Sequence, residues 1–382
     1  MSVAENVGGN VGEGAPHIGV LTSGPLGTIA DVDGVTVGHR TLDEGAVQTG
    51  VTVIRPHRDD PFLRKVPAAA SVINGFGKSI GLVQVEELGV LETPIALTNT
   101  FGVAALAQAQ IRAAIKANPR IGREWPTVNP LVFECNDGYL NDIQALAVNQ
   151  RHFDDAFDAA STHVASGSVG AGRGMSCFDL KGGIGNASRV VEVAGHSYTV
   201  GALVLANFGR LPMLTIDGAA LGRVLAERAA KAADAVDAAG AGCAANTNAA
   251  TAPIAKPEQG SIIMIVATDA PLDARQLKRL SLRAAAGLAR TGSVYGHGSG
   301  DIALAFSTAY TVPHDADFVT LPPLLADACL DPLFQACADS VEQAIVDALW
   351  RATSVTGRDG RKRLSLHDSV PDLAQLLKQS SR

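Results

Sequence analysis

Charge is scarce in this 382-residue chain: only 18% of its residues are Asp, Glu, Lys or Arg, and acids outnumber bases 38 to 31. A net charge of −7 leaves no basic face for a nucleic-acid backbone, which needs many Lys and Arg contacts. The densest basic stretch, Arg358-Asp359-Gly360-Arg361-Lys362-Arg363, is short and interrupted, and reads as a solvated loop. Aromatics are few, at 4%, so a core must be built from Ala, Val, Ile and Leu. The five cysteines (Cys135, Cys177, Cys243, Cys329, Cys337) are scattered and form no C-x-x-C, which excludes the usual zinc and redox signatures. No secretory leader pattern opens the chain, and no uncharged apolar run is long enough to span a bilayer. These absences lead to the expectation of a soluble, cytoplasmic protein with neither nucleic acid nor membrane as partner.

What is present is an α/β composition: 47% hydrophobic residues and 40 glycines, in a length that allows either two to three domains or one large one. After a loose glycine-rich arm over 1–27, IADVDGVTVGHRT reads as a hairpin about Asp33-Gly34. Strands are expected over 50–54, 68–73, 94–97, 131–134, 262–268 and 302–308, with a hairpin of 189–193 and 198–206 about Gly195-His196. Helices are expected from an N-cap at Ser79 to Gly89, over 103–118, near 141–150 and 153–164, and over 219–240, 274–290 and 338–352. Strands alternate with helices, but the hairpins argue against a purely parallel sheet. Residues 241–259 lose all periodicity and read as a flexible segment.

Phosphate and metal chemistry find little support. Gly77-Lys78-Ser79 has the tail of a phosphate loop, but Val72 stands where its first glycine should be. The glycine-dense stretch 167–186 contains no G-x-G-x-x-G, and reads as tight turns lining a pocket. The nine histidines include no helical i, i+4 pair, and His297 in YGHGSGD faces either solvent or substrate. That leaves Ser261, which opens the apolar run IIMIVAT directly behind Gly260 and has no histidine near it. A serine hydroxyl needs a base. If the Gly260–Ser261 bond breaks, Ser261 gains an α-amine of pKa about 7.7–8.0, lowered further by burial, and so carries its own base. The competing reading is an ordinary serine at the start of a strand.

Seven segments in order carry a resemblance: GPLGTIADVDGVTVGH, VINGFGKSIGLVQVEELGVLETPIALTNT, ECNDGYLND, GAGRGMSCFDLKGGIGNASRVV, VLANFG, GSIIMIVATDAPL and GSGDIALAFST. From about Gly24 to Gly357 the chain resembles the L-aminopeptidase/D-esterase (DmpA-type) family, which includes the β-peptidyl aminopeptidases. The resemblance implies one four-layer α/β/β/α sandwich, similar in layering to N-terminal-nucleophile hydrolases but differently connected. It implies a precursor that cuts itself into 1–260 and 261–382, with 241–259 as processing segment, no cofactor or metal, and a tetramer of cleaved heterodimers.

By resemblance, Ser261 matches the nucleophile, and Ser299 and Asp301 the pair that orients it and its amine. Asn207 and Tyr139 match the groups that stabilise the oxyanion, and Glu134 is assigned to the substrate's free amino group. Substrates would be small peptides, amides or esters with a free amino end. The Asp at 301 resembles the α-peptide branch, since β-peptide-cleaving relatives carry Glu there. The alternatives are an acyltransferase of the ornithine acetyltransferase type, which uses threonine where Ser261 stands, and an uncleaved scaffold without activity.

Overall fold

The apolar runs that read as strands form strands, and the side chains of each alternate between two buried faces. The computed structural model describes residues 14–238 and 259–380. In chain order the strands are β1 Thr36–Leu42, β2 Thr49–Arg55, β3 Arg64–Gly75, β4 Val90–Leu91, β5 Ile95–Asn99 and β6 Leu131–Cys135. There follow β7 Ser176–Cys177, β8 Leu180–Lys181, β9 Gly183–Val193, β10 His196–Asn207, β11 Gln259–Thr268, β12 Gly298–Ser307 and β13 Val312–Pro313. The main helices are α1 Leu82–Leu88, α2 Val103–Ala117, α3 Gln150–Asp158, α4 Leu221–Ala238, α5 Ala274–Arg290 and α6 Asp331–Trp350.

Two sheets result, one in the order β1-β2-β5-β6 and one in the order β13-β3-β12-β11-β10-β9, with β4 beside β3. Both are mixed: β5/β6 and β11/β12 run parallel, and the other named neighbours antiparallel. Along β11, Ile262, Met264 and Val266 pack in one core with Leu277 and Leu280 of α5 and Val341 and Ile345 of α6. Ile263, Ile265 and Ala267 pack in another, against Leu97, Leu131 and Phe133 of the smaller sheet. The far face of that sheet, through Val51, Val53, Ala96 and Val132, meets α2 and α3 at Leu106, Ala109 and Phe153. The layers are therefore helix, sheet, sheet, helix. Each fully buried Val, Leu or Ile in these cores contributes about 1.5–3 kcal/mol. The shortage of aromatics has its counterpart in close approach: a Cβ at Gly185 of β9 would stand 1.8 Å from Ala344 O of α6.

Several expectations need correction. Ile29–Asp31 is a 3-10 turn held by a capping box of Thr28 and Asp31, so β1 has no hairpin partner at Asp33-Gly34. The arm is tied down within its described part: Ile18 is buried, and the Arg189 guanidinium donates to Ile18 O and Ser23 Oγ. Ser79 does not cap α1, which starts after Gly81 at φ +93°, although Gly89 does end it. Only a 3-10 turn, Ile143–Ala145, forms near 141–150, and α3 is capped by Asn149. The processing segment lies outside the described residues except for Gln259, where β11 has already begun.

Candidate active site

Three adjacent strands bring the candidate residues to one end of the larger sheet. Asn207 of β10 stands level with Ser261 of β11, and Ser261 level with Gly300 of β12. The alternation that places Ile263 and Ile265 between the sheets gives Ser261 the same face, and Asn207 shares the face of Leu203 and Leu205. Ser261, Asn207, Ser299, Asp301 and Glu134 are all buried, so the polar groups gather in a low-dielectric setting.

Ser261 Oγ donates to the carbonyl of Gly260 at 2.6 Å and accepts from Gly300 N at 3.2 Å. A hydroxyl folded back on the carbonyl that precedes it is where an N-to-O acyl shift begins. Gly260 sits at φ +158°, and a Cβ there would fall 2.2 Å from Asn207 O and 2.9 Å from Phe208 Cα. Only glycine lets the Gly260–Ser261 peptide lie this close to β10. Gly260→Ala should therefore push β10 and β11 apart at this point and leave most of the chain uncut. Denaturing mass spectrometry over a time course checks this, and cutting at the parent rate would refute it.

Ser299 is level with Gly260, not with Ser261, and its Oγ donates to Asp301 Oδ1 at 2.5 Å. The pair thus flanks the Gly260–Ser261 peptide. Asn207 is clamped from both ends of its amide: Oδ1 accepts from Ser176 N at 2.8 Å and Nδ2 donates to Asn136 O at 3.0 Å. These partners assign the amide's orientation and leave the second Nδ2 hydrogen for a developing oxyanion. Ser176 is held by the β7–β8 hairpin, whose two-residue turn Phe178-Asp179 has φ of +51° and +62°. Left-handed backbone at such residues costs about 1–3 kcal/mol. Burial of the Phe178 ring 5.1 Å from that of Phe208 offsets it.

Tyr139 is half-buried one turn beyond Asn136, with the Arg363 guanidinium 3.9 Å and that of Arg361 5.5 Å from its ring centre. Arg363 Nε also donates to Ser176 Oγ at 3.2 Å, and Arg358 Nε donates to Gly138 O at 2.8 Å. The basic cluster is solvated over 359–362, but its two ends are not: Arg358 and Arg363 brace the Asn136–Tyr139 loop and the strand carrying Ser176. Glu134 is no surface acid either. Its Oε1 accepts from Lys78 N at 2.7 Å and its Oε2 from the Thr100 hydroxyl. Only the small Gly77 separates it from β12: a Cβ built there would be 3.6 Å from Glu134 Oε1 and 3.8 Å from Gly300 Cα.

Behind these groups lies a second layer that sequence reasoning missed. Asp137 is fully buried, with Oδ1 accepting from Asn141 Nδ2 at 3.0 Å. Burial pushes its carboxyl up to about 7, opposed by hydrogen bonds that include those of Thr49, Asn141 and Asn99. Asn99 caps the turn that carries Thr100, so the loop of Asn136 and the anchor of Glu134 share one network. Lys181 is buried with Nζ donating to Gly172 O and Gly182 O, and burial holds its pKa well below the usual lysine value. The sole visible signal was a lysine set within glycines and apolar residues in FDLKGGIG. His297 is exposed, its ring 6.0 Å from Phe76. Lys78 Nζ lies over the Phe76 ring at 4.3 Å. Among the described residues no group of His, Cys, Asp and Glu is arranged to hold a metal, and no helix is long and apolar enough to cross a membrane.

The model of peptidase family S58 matches residues 27–363, nearly the whole chain. The chain belongs to peptidase family S58. Among its S58 relatives, the β-peptidyl aminopeptidase BapA of Sphingosinicella microcystinivorans is 40% identical over 91% of this chain and 88% of its own. The solved L-aminopeptidase D-Ala-esterase/amidase of Ochrobactrum anthropi, described as a prototype serine aminopeptidase and a new variant of the Ntn hydrolase fold, superposes with TM-score 0.83. It is 33% identical and covers 96% of this chain and 98% of its own. A Burkholderia sp. β-aminopeptidase gives TM-score 0.82 at 36% identity over 96% and 97% of the two chains. The S58 chain is thus an aminopeptidase of the N-terminal-nucleophile type with serine as its nucleophile, and its fold is the α/β/β/α variant that the resemblance implied. Threonine-dependent acyl transfer and an inactive scaffold both fall away as readings.

Proposed function

We propose that this S58 chain cuts itself between Gly260 and Ser261 and then removes single residues from the amino end of small peptides, amides and esters. The observation that carries this reading is Ser261 Oγ lying 2.6 Å from the Gly260 carbonyl oxygen beside the clamped amide of Asn207. In self-cleavage, Oγ bonds to the Gly260 carbonyl carbon, the C–N bond breaks, and the Ser261 nitrogen takes the hydroxyl proton. Water then hydrolyses the ester, leaving a carboxylate on Gly260 and a free α-amine on Ser261.

In turnover the amine accepts the Oγ proton as Oγ attacks the substrate carbonyl. Asn207 Nδ2 and the Tyr139 hydroxyl stabilise the oxyanion. The ammonium returns the proton to the leaving amine, and water releases the acyl group from Ser261. Asp301, beside the ammonium, favours its charged form, and the interposed Ser299 hydroxyl and burial counter this so that the amine can act as a base. Glu134 takes the substrate's ammonium, which the Gly77 gap brings within reach of Ser261. The active unit would be a tetramer of cleaved heterodimers in the cytoplasm, on the family's pattern.

Asp301 resembles the α-peptide branch, whereas the 40% identity to a β-peptidyl aminopeptidase favours β-residues as well. A panel of L-α-, D-α- and β-aminoacyl anilides, each free and N-acetylated, separates these. Hydrolysis of free but not acetylated substrates is expected, with Glu134→Gln raising KM for the free ones. Equal turnover of both forms would refute the amine anchor.

A further inference from the structure

We propose that Asn74 is a positioning residue: it locks the loop that delivers Ser299, and through Ser299 it sets where the Ser299–Asp301 pair meets the Ser261 amine. The inference rests on the self-processing mechanism above. It begins with an irregularity in β3. Asp301 pairs with Asn74 but the next residue, Ile302, pairs with Val72, so Ile73 is one residue too many. Such a bulge re-aims the side chains beyond it. Ala68 and Ala70 of β3 belong to the core between the sheets, whereas Ser71 meets Ser281 of α5. The extra residue reverses the alternation, so Asn74 shares the side of Ser71 instead of that of Ala70.

On that side the chain returns from α5 into β12. Asn74 Nδ2 donates to Gly296 O at 2.9 Å and to Ser299 O, and lies 3.4 Å from His297 O. Three carbonyls converging on one side-chain atom can be met only by the NH₂ end of an amide, which also settles the amide's orientation. These contacts span the residues just before and at the Ser299 hydroxyl that donates to Asp301. The stretch they hold is an irregular return, with Tyr295 at φ +55° and Gly292 at +103°; Tyr295 OH pins its start to Ala285 O at 2.5 Å, and Asn74 pins its end. The bond of Asn74 nearest to the chemistry is the one to Ser299 O. Asn74 acts through Ser299.

The test uses Asn74→Ala, Asn74→Ser and Asn74→Asp in the full chain, with an aminoacyl anilide that the parent hydrolyses. Asn74→Ala should lose about 10²-fold in kcat, the cost of moving a catalytic group by about 1 Å, while KM for the anilide changes little. The acid limb of its pH–rate profile should move, because the amine's pKa depends on where Ser299 and Asp301 stand. Asn74→Ser keeps a donor and should recover part of the loss. Asn74→Asp, with no donor for three carbonyls, should be worst and slowest to cut itself. If Asn74→Ala does not fold, Asn74→Ser carries the same comparison. A folded, processed variant with parental kcat and an unmoved pH profile, changed only in melting temperature, would overturn the inference. An inactive parent would instead overturn the mechanism on which it rests.

Discussion

Ser261→Ala should remain a single 39.3 kDa species under denaturing conditions and hydrolyse no aminoacyl anilide. Two losses coincide in this one substitution. The hydroxyl that reaches Gly260 O at 2.6 Å is gone, so the acyl shift has no acceptor and the chain stays whole. Without the cut there is also no α-amine, so no base is created at the site. Removal of a serine nucleophile alone typically costs on the order of 10⁶ in kcat. Ser261→Cys distinguishes the two losses, because a thiol can still take the acyl group: slow appearance of fragments 1–260 and 261–382 is expected. A parent that is fully active while uncut would sink the whole scheme.

Asn207→Ala should lower kcat by about 10²–10³ with a much smaller change in KM, as expected when one oxyanion donor is lost. In the proposed role Asn207 serves only when negative charge develops on the carbonyl oxygen, so the ground state should barely feel its removal. Its two clamps also lose their partner: Ser176 N and Asn136 O are left unmet at the edge of the site. Ser176 is only half-buried and Asn136 is exposed, so water can meet both groups and the accompanying loss of stability should be small. Asn207→Asp separates the contributions. It can still accept from Ser176 N, yet it places a carboxylate against the oxyanion. It should therefore be better folded than the alanine variant and no more active. Comparable kcat in Asn207→Ala and the parent would remove Asn207 from the mechanism. Self-cleavage, which passes through a similar oxyanion, should slow in both variants.

Much of this was legible because the strands of the core are long apolar runs that cannot be mistaken for anything solvated. IIMIVAT and YTVGALVLA each have two buried faces, and they place Ser261 and Asn207 at their ends. The misses have a common physical source. Asp33-Gly34 does turn, with Val35 N donating to Val32 O at 3.1 Å, but a capping box makes Ile29–Asp31 a 3-10 turn and leaves no strand before it; at Gly81 a left-handed glycine displaced Ser79 as the start of α1. The arginines at 358 and 363 looked solvated because their partners lie far away along the chain, on Gly138, Tyr139 and Ser176. Asp137 and Lys181 were invisible for the same reason. A buried charge is recognisable only when the loops that cover it are known.

The Gly260–Ser261 peptide lies inside a finished sheet, with Asn207 on one flank and Ser299 and Gly300 on the other. Those neighbours come from distant parts of the chain, so the site exists only after long-range pairing is complete. On the proposed mechanism, self-cleavage consequently reports on folding. A molecule with β10 or β12 out of register lacks the clamped amide, keeps its Gly260–Ser261 bond and never becomes a hydrolase. The ratio of cut to uncut chain is then a record of quality control written into the covalent structure. By this mechanism misfolded copies would be kept inert without any inhibitor.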